Sequence, residues 1–166
     1  MSGVVLQSLS TMDVLTYPNP QPKNIGQIFI LLQYQAPANR IKVMVQKAEI
    51  LGKLTRMPGA PDHFVSIRLI HGCQVKDMKE TRSVTGFSPV WNAPFLFDIP
   101  SKAFQDETLS IEFVIMQGRV YNRARILGRV QIGFGSSEAG LAHWKEMYNK
   151  GPVECARWHA LQPHDF

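Results

Sequence analysis

Five stretches of this chain alternate apolar and polar residues with a period of two, and that rhythm limits its fold more than anything else in it. In "IKVMVQ" Ile41, Val43 and Val45 share one face, and in "HFVSIRLI" Val65, Ile67 and Leu69 do. "FLFDI" alternates Phe95, Phe97 and Ile99, and "LSIEFVI" alternates Leu109, Ile111, Phe113 and Ile115. "VQIGF" does the same with Val130, Ile132 and Phe134, and "QIFILLQY" adds a short apolar run. Successive side chains of a strand point to opposite faces, so each stretch reads as a half-buried strand. Pro- and Gly-rich breaks such as "MPGAPD" and "TGFSPVWNAP" separate them. Short strands punctuated this way predict an antiparallel β-sandwich.

One segment departs from this rhythm. In "SSEAGLAHWKEMYNKG" Leu141, Trp144 and Tyr148 recur at helical spacing. Ser136 or Ser137 suits the N-cap, Glu138 the first turn and Gly151 the end, so a helix is expected before a last strand in "ECARWHAL". A length of 166 residues, 45% of them hydrophobic and 19% charged, suits one packed domain. Its first residues differ, because "YPNPQPKN" alternates Pro with polar residues. Residues 1–25 therefore read as a linker or N-terminal arm, 26–162 as the domain and 163–166 as a tail.

Several functions are disfavoured. There is no HExxH, GxSxG or P-loop motif, and the five histidines are scattered. "GFGSSEAG" leaves a strand and enters a helix, but Glu138 stands where a dinucleotide loop needs its third Gly, and no βαβ unit surrounds it. No enzyme activity, cofactor, metal or small-molecule substrate is expected. Cys73 and Cys155 lie outside any CxxC pattern and read as reduced, buried thiols. No apolar run is long enough for a membrane span and no signal peptide opens the chain. A cytoplasmic location is expected, with any transmembrane anchor outside this chain. The net charge of +5 favours an anionic partner. Nucleic acid is not expected, since the basic residues have little aromatic interleaving and no groove-reading motif.

Three local motifs carry a resemblance. "GQIFILLQYQAPANRIKVMVQKAEIL" is similar to the opening hairpin of C2 domains, and "SPVWNAPFLFDIP" to their "NPVWNE" segment, with Ser88 and Ala93 as departures. "HWKEMYNKGPVECARWHAL" resembles the helix and last strand of the second C2 domain of synaptotagmins and rabphilin-type proteins, ending in a W-H-x-L signature at Trp158, His159 and Leu161. The resemblance implies an eight-stranded C2 sandwich with loops gathered at one end. It associates W-H-x-L with docking and internalisation. The residues alone make Trp158 and Leu161 core side chains of a terminal strand.

Calcium-binding relatives supply about five loop aspartates, which calcium needs as hard oxygen ligands. By that resemblance only Asp62 matches a ligand position, and Arg56, Gln117, Arg119 and Arg125 occupy the others. A guanidinium about 5 Å from a calcium ion would repel it by roughly 6–7 kcal/mol at an effective dielectric of 20. The calcium site is therefore expected to be lost. Lys53 and Arg56 on one loop and Arg119, Arg123 and Arg125 on another instead form a candidate surface for anionic phospholipid, each worth about 1 kcal/mol at a charged bilayer. Leu54, Met57, Val120 and Tyr121 are apolar neighbours suited to the interface. The alternative is an ordinary solvated loop.

The resemblance also implies a basic patch on the fourth strand, used in the family for phosphoinositides, SNAREs and the clathrin adaptor. Here Lys76, Lys79 and Arg82 remain, interrupted by Asp77 and Glu80. Two functions stay open: a peripheral, calcium-independent membrane module in vesicle traffic and exocytosis, and a protein-interaction scaffold for a SNARE, an adaptor or another C2 domain.

Overall fold

The computed structural model describes residues 24–56, 58–100, 108–118 and 124–163. Two antiparallel sheets face each other. One has the order β6 (Val90–Asp98), β2 (Arg40–Glu49), β1 (Gln27–Gln35), β9 (Cys155–Ala160). The other has the order β4 (Gln74–Glu80), β3 (Asp62–His71), β7 (Leu109–Gln117), β8 (Arg125–Gly133), with the two-residue β5 (Val84–Thr85) beside the start of β3. That short β5 accounts for nine strands among the described residues where eight are expected.

The alternation translates directly into the core. Ile28, Ile30 and Leu32 of β1 and Ile41, Val43 and Val45 of β2 meet Val65, Ile67 and Leu69 of β3 and Leu109, Ile111, Phe113 and Ile115 of β7, all buried. Each fully buried aliphatic side chain contributes about 1.5–3 kcal/mol relative to exposure. "VWN" has a backbone role: Trp91 is buried and donates its indole N–H to the His63 carbonyl at 3.2 Å. Asn92 adopts φ 46°, next to the irregularity that lets β6 pair with β2. Asparagine tolerates that left-handed backbone better than most residues.

Between β8 and β9 the described residues of the two sheets meet only at the Arg129–Gln162 bridge, and the helix α1 (Glu138–Lys150) fills the rest of the seam with Trp144 and Met147. Ser137 caps it, its Oγ accepting from the Gly140 N–H at 3.3 Å, and Gly151 ends it at φ 68°. Its buried face is Gly140, His143, Trp144 and Met147 rather than Leu141, Trp144 and Tyr148. Gly140 explains the shift, because a Cβ there would lie 2.3 Å from the Gln131 carbonyl of β8. The helix turns its smallest residue to the strand, and Tyr148 moves outward to stack on Tyr34 at 5.8 Å. Two further expectations are corrected. Cys73 sits exposed at the β3–β4 turn, with Cys155 alone buried. Trp158 lies on the outer face of β9, 36% exposed, while Leu161 is in the core.

Candidate functional site

One end of the sandwich gathers the ends of β2, β7 and β9 with the starts of β1, β3, β6 and β8, so three loops meet there. Residues 50–61 join β2 to β3, residues 86–89 join β5 to β6, and residues 118–124 join β7 to β8. Lys53, Arg56 and Arg125 are exposed there. Arg119, Arg123, Val120, Tyr121 and Met57 lie outside the described residues. Leu54 is exposed as expected, and so are Ile50 and Phe87. The Leu51 N–H donates to the Phe87 carbonyl at 3.0 Å, so the 50–61 and 86–89 loops run side by side and their apolar side chains share one end. Phe87 escaped the sequence reading because it stands in a Gly/Ser/Pro break that signals only a turn.

Below the tips, Gln117 ties the loop end together. Its Oε1 accepts from the Leu54 N–H at 2.7 Å. Its Nε2 donates to the Gly52 carbonyl at 2.7 Å and lies 3.0 Å from His63 Nε2. The two backbone bonds fix which end of the carboxamide is which. His63 Nε2 must then be an acceptor, so the ring is neutral. Burial lowers its pKa, opposed by the Gly86 backbone and by Asp62. A carboxylate could accept from Leu54 but could not donate to Gly52 or His63. The amide at this position therefore anchors the β2–β3 loop to β7.

That arrangement bears on the metal that the resemblance raises. Calcium takes six to eight oxygen ligands. Asp62 is the one carboxylate among the positions compared, and it already accepts from the Thr85 hydroxyl. Gln117 is occupied by its own bonds, and Arg56 and Arg125 bring positive charge. This donor set does not fit a calcium ion. Among the described residues no group of three His, Cys, Asp or Glu side chains is placed to hold a metal.

The basic residues of the fourth strand do not converge. Lys76 is exposed at a bulge and donates to Gln74 Oε1 at 2.9 Å. Lys79 turns toward the sandwich, 5.5 Å above the Phe97 ring and 3.9 Å from Asp77. Arg82 donates to the Trp91 carbonyl at 2.9 Å and so braces β6. The W-H-x-L residues also separate. Trp158 packs on Phe29 at 4.9 Å with Lys47 over its ring. His159 is buried, its Nε2 2.8 Å from His143 Nδ1, and His143 Nε2 donates to the Cys155 carbonyl at 2.9 Å. Burial, then neighbouring His143 and Arg157, lowers His159 to about 4, and burial lowers His143. The pair joins α1 to β9.

The fold is shared with known proteins. The C2 domain profile matches residues 39–147. Synaptotagmin-4 of Mus musculus is 29% identical over 166 residues, covering 97% of this chain and 38% of that protein. Synaptotagmin-4 of Homo sapiens is 32% identical over 138 residues, covering 82% of this chain and 32% of that protein. The chain thus spans about a third of the length of these relatives. The crystal structure of a RIM C2 domain from Drosophila superposes with a TM-score of 0.63 at 17% identity, covering 82% of this chain and 98% of that one. No helix among the described residues is long and apolar enough to cross a membrane.

Proposed function

The chain belongs to the C2 domain family, and from that premise we propose that it is a non-enzymatic module, the second C2 domain of a synaptotagmin-like protein, that docks on anionic phospholipid without calcium. Its body is 26–162, following an arm, 1–25, and ending in a short tail. Its place is cytoplasmic, peripheral to a vesicle or the plasma membrane, in vesicle transport and exocytosis. The observation that carries this reading is Gln117. A neutral carboxamide spends its donors and acceptor on Gly52, His63 and Leu54 where a calcium-binding relative would place a carboxylate. The loop end is thereby braced by the protein itself. It presents Lys53, Arg56 and Arg125 beside Ile50, Leu54 and Phe87, a mixture suited to an anionic headgroup layer with apolar tips beneath it.

Co-sedimentation with liposomes tests it, with and without phosphatidylserine, each in calcium and in chelator. Binding is expected to need the anionic lipid, ignore calcium and weaken with salt. Replacing Lys53, Arg56 and Arg125 by Ala removes about 3 kcal/mol at about 1 kcal/mol per cation, roughly a hundredfold in affinity. Binding only in calcium would defeat the reading. No binding under any condition would leave the scaffold for a SNARE, an adaptor or another C2 domain as the better account.

A further inference from the structure

Ile50 breaks a rule that the rest of the described chain keeps. Backbone with positive φ suits glycine and, after it, asparagine. Every other described residue with positive φ is Gly or Asn, but Ile50 adopts φ 57°. A β-branched side chain is strained in that conformation. Ile50 gains nothing from the core in return, since it is 66% exposed. The kink itself has a structural use. Strand alternation from Ala48, which is buried, would turn Ile50 inward, and the left-handed turn buries Leu51 in its place. The Leu51 N–H donates to the Phe87 carbonyl at 3.0 Å and the Gly52 N–H to the Ile25 carbonyl at 3.1 Å, which holds the chain beyond the kink. Asn or Gly would make the same turn without strain. The isoleucine side chain therefore answers to something outside this domain.

Its neighbours indicate what that is. Lys47 pairs with Val90, and the Ala48 N–H donates to the Pro89 carbonyl at 3.0 Å, so residues 47–51 and 87–90 run as one ribbon. Ile50, Phe87 and Val90 are all exposed along it. They form an apolar ridge where the loop end meets the edge strand β6. Lys53 and Arg56 follow in the chain and Arg125 lies at the same end, all three exposed. No acidic residue stands between Glu49, which is half-buried, and Asp62. Cations at the rim of an apolar ridge fit anionic headgroups above acyl chains. We propose that the domain docks tilted toward β6, with Ile50 and Phe87 inserted among the acyl chains and Val90 at the headgroup boundary. The 86–89 loop is then a membrane element of this domain, and the fixed kink at Ile50 presents its side chain before any lipid arrives. The proposal rests on the lipid reading above and adds an apolar anchor and an orientation, which charge alone does not supply.

Ile50→Asn in the full chain separates the anchor from the fold. Asparagine accepts the left-handed backbone, so the urea midpoint should hold or rise. Affinity for phosphatidylcholine vesicles carrying phosphatidylserine should fall about tenfold, and about a hundredfold with Phe87→Ser added. The dependence of affinity on salt should be unchanged in both forms, whereas replacing Lys53, Arg56 and Arg125 by Ala should flatten it. Phe87→Trp should gain a blue-shifted emission on binding that acyl-brominated lipid quenches. The native protein should not, because Trp91 and Trp144 are buried and Trp158 lies off the ridge. Native-like binding by the Ile50→Asn/Phe87→Ser form would overturn the anchor and leave the charged surface standing. A loss of binding in Ile50→Asn that tracks a lowered urea midpoint would also overturn it, since the residue would then serve the fold. A native chain that binds no anionic vesicle would overturn both the anchor and the lipid reading.

Discussion

Replacing Gln117 by Glu keeps the shape of the side chain and removes its donors, and the consequence can be worked bond by bond. The introduced carboxylate would still accept from the Leu54 N–H. The Gly52 carbonyl would lose its donor, whereas neutral His63 could carry its proton on Nε2 and donate to the carboxylate. One orphaned buried acceptor costs about 1–3 kcal/mol and burying the carboxylate costs about as much again, while its charge-assisted bonds to Leu54 and His63 offset part of the sum, leaving about 2–4 kcal/mol at pH 8. His63 then supplies a signature. In the native protein its pKa is lowered, chiefly by burial. Its contribution is therefore complete above its unfolded value and is lost as pH falls. In the Gln117→Glu variant the same ring would gain a carboxylate partner and its pKa would rise. That contribution is present below the unfolded value and is lost as pH rises through the folded value. The deficit of the variant should therefore shrink by about half between pH 8 and pH 6, as imidazolium donates to the new carboxylate. Urea unfolding followed by tryptophan fluorescence reads this directly: at a slope of about 2 kcal/mol per molar, the midpoint should drop by about 1–2 M at pH 8. Gln117→Met, which loses all three bonds, should show no recovery at pH 6. A Gln117→Glu protein within about 0.5 kcal/mol of the native one at pH 8, or one whose deficit grows on acidification, would refute the account of the anchor.

The buried His143–His159 pair should make the domain acid-sensitive. With His159 lowered to about 4, stability is complete above about pH 6.5 and falls as pH drops toward 4. The loss is about 2–3 kcal/mol after allowance for solvent screening. His159→Gln, which can still hydrogen-bond to His143, should flatten that slope in pH-dependent urea titrations, and an unchanged slope would place the sensitivity elsewhere. Gly140→Ala should lower the melting temperature although alanine favours a helix by about 1 kcal/mol, because its Cβ would meet the Gln131 carbonyl at 2.3 Å. A stabilised variant would show that the helix can lift off β8 cheaply.

The strands were legible because their burial follows a local rule. Ile41, Val43 and Val45 alternate in the sequence and are buried together in the fold. The helix ends were legible for the same reason, since Ser137 and Gly151 act on their own backbone neighbours. The helix face was not, because Gly140 and His143 are buried for close approach and for a hydrogen bond, neither of which an apolar count registers. Trp158 misleads in the opposite direction: it is a large hydrophobe at a strand position whose face is set by register with Phe29. At the loop end, the basic residues could be named from the sequence, but Gln117 could be read only as a missing carboxylate. Its bonds run to residues 52, 54 and 63, more than fifty positions away, and no spacing in the chain announces them. Cys73 had no local signal of its exposure either.

The charges that interrupt the basic strand gain a different meaning from their position. β4 is the outermost strand of its sheet, and it exposes Val75 and Met78. An edge with unpaired amides and apolar side chains invites another chain to add itself as the next strand. Lys76, Asp77, Lys79 and Glu80 alternate in sign along that edge, and the bulge at Lys76 breaks its straight register. Any added strand would have to align with both signs of charge and with the kink. The same substitutions that dilute an anion-binding surface thus guard this domain against edge-to-edge aggregation.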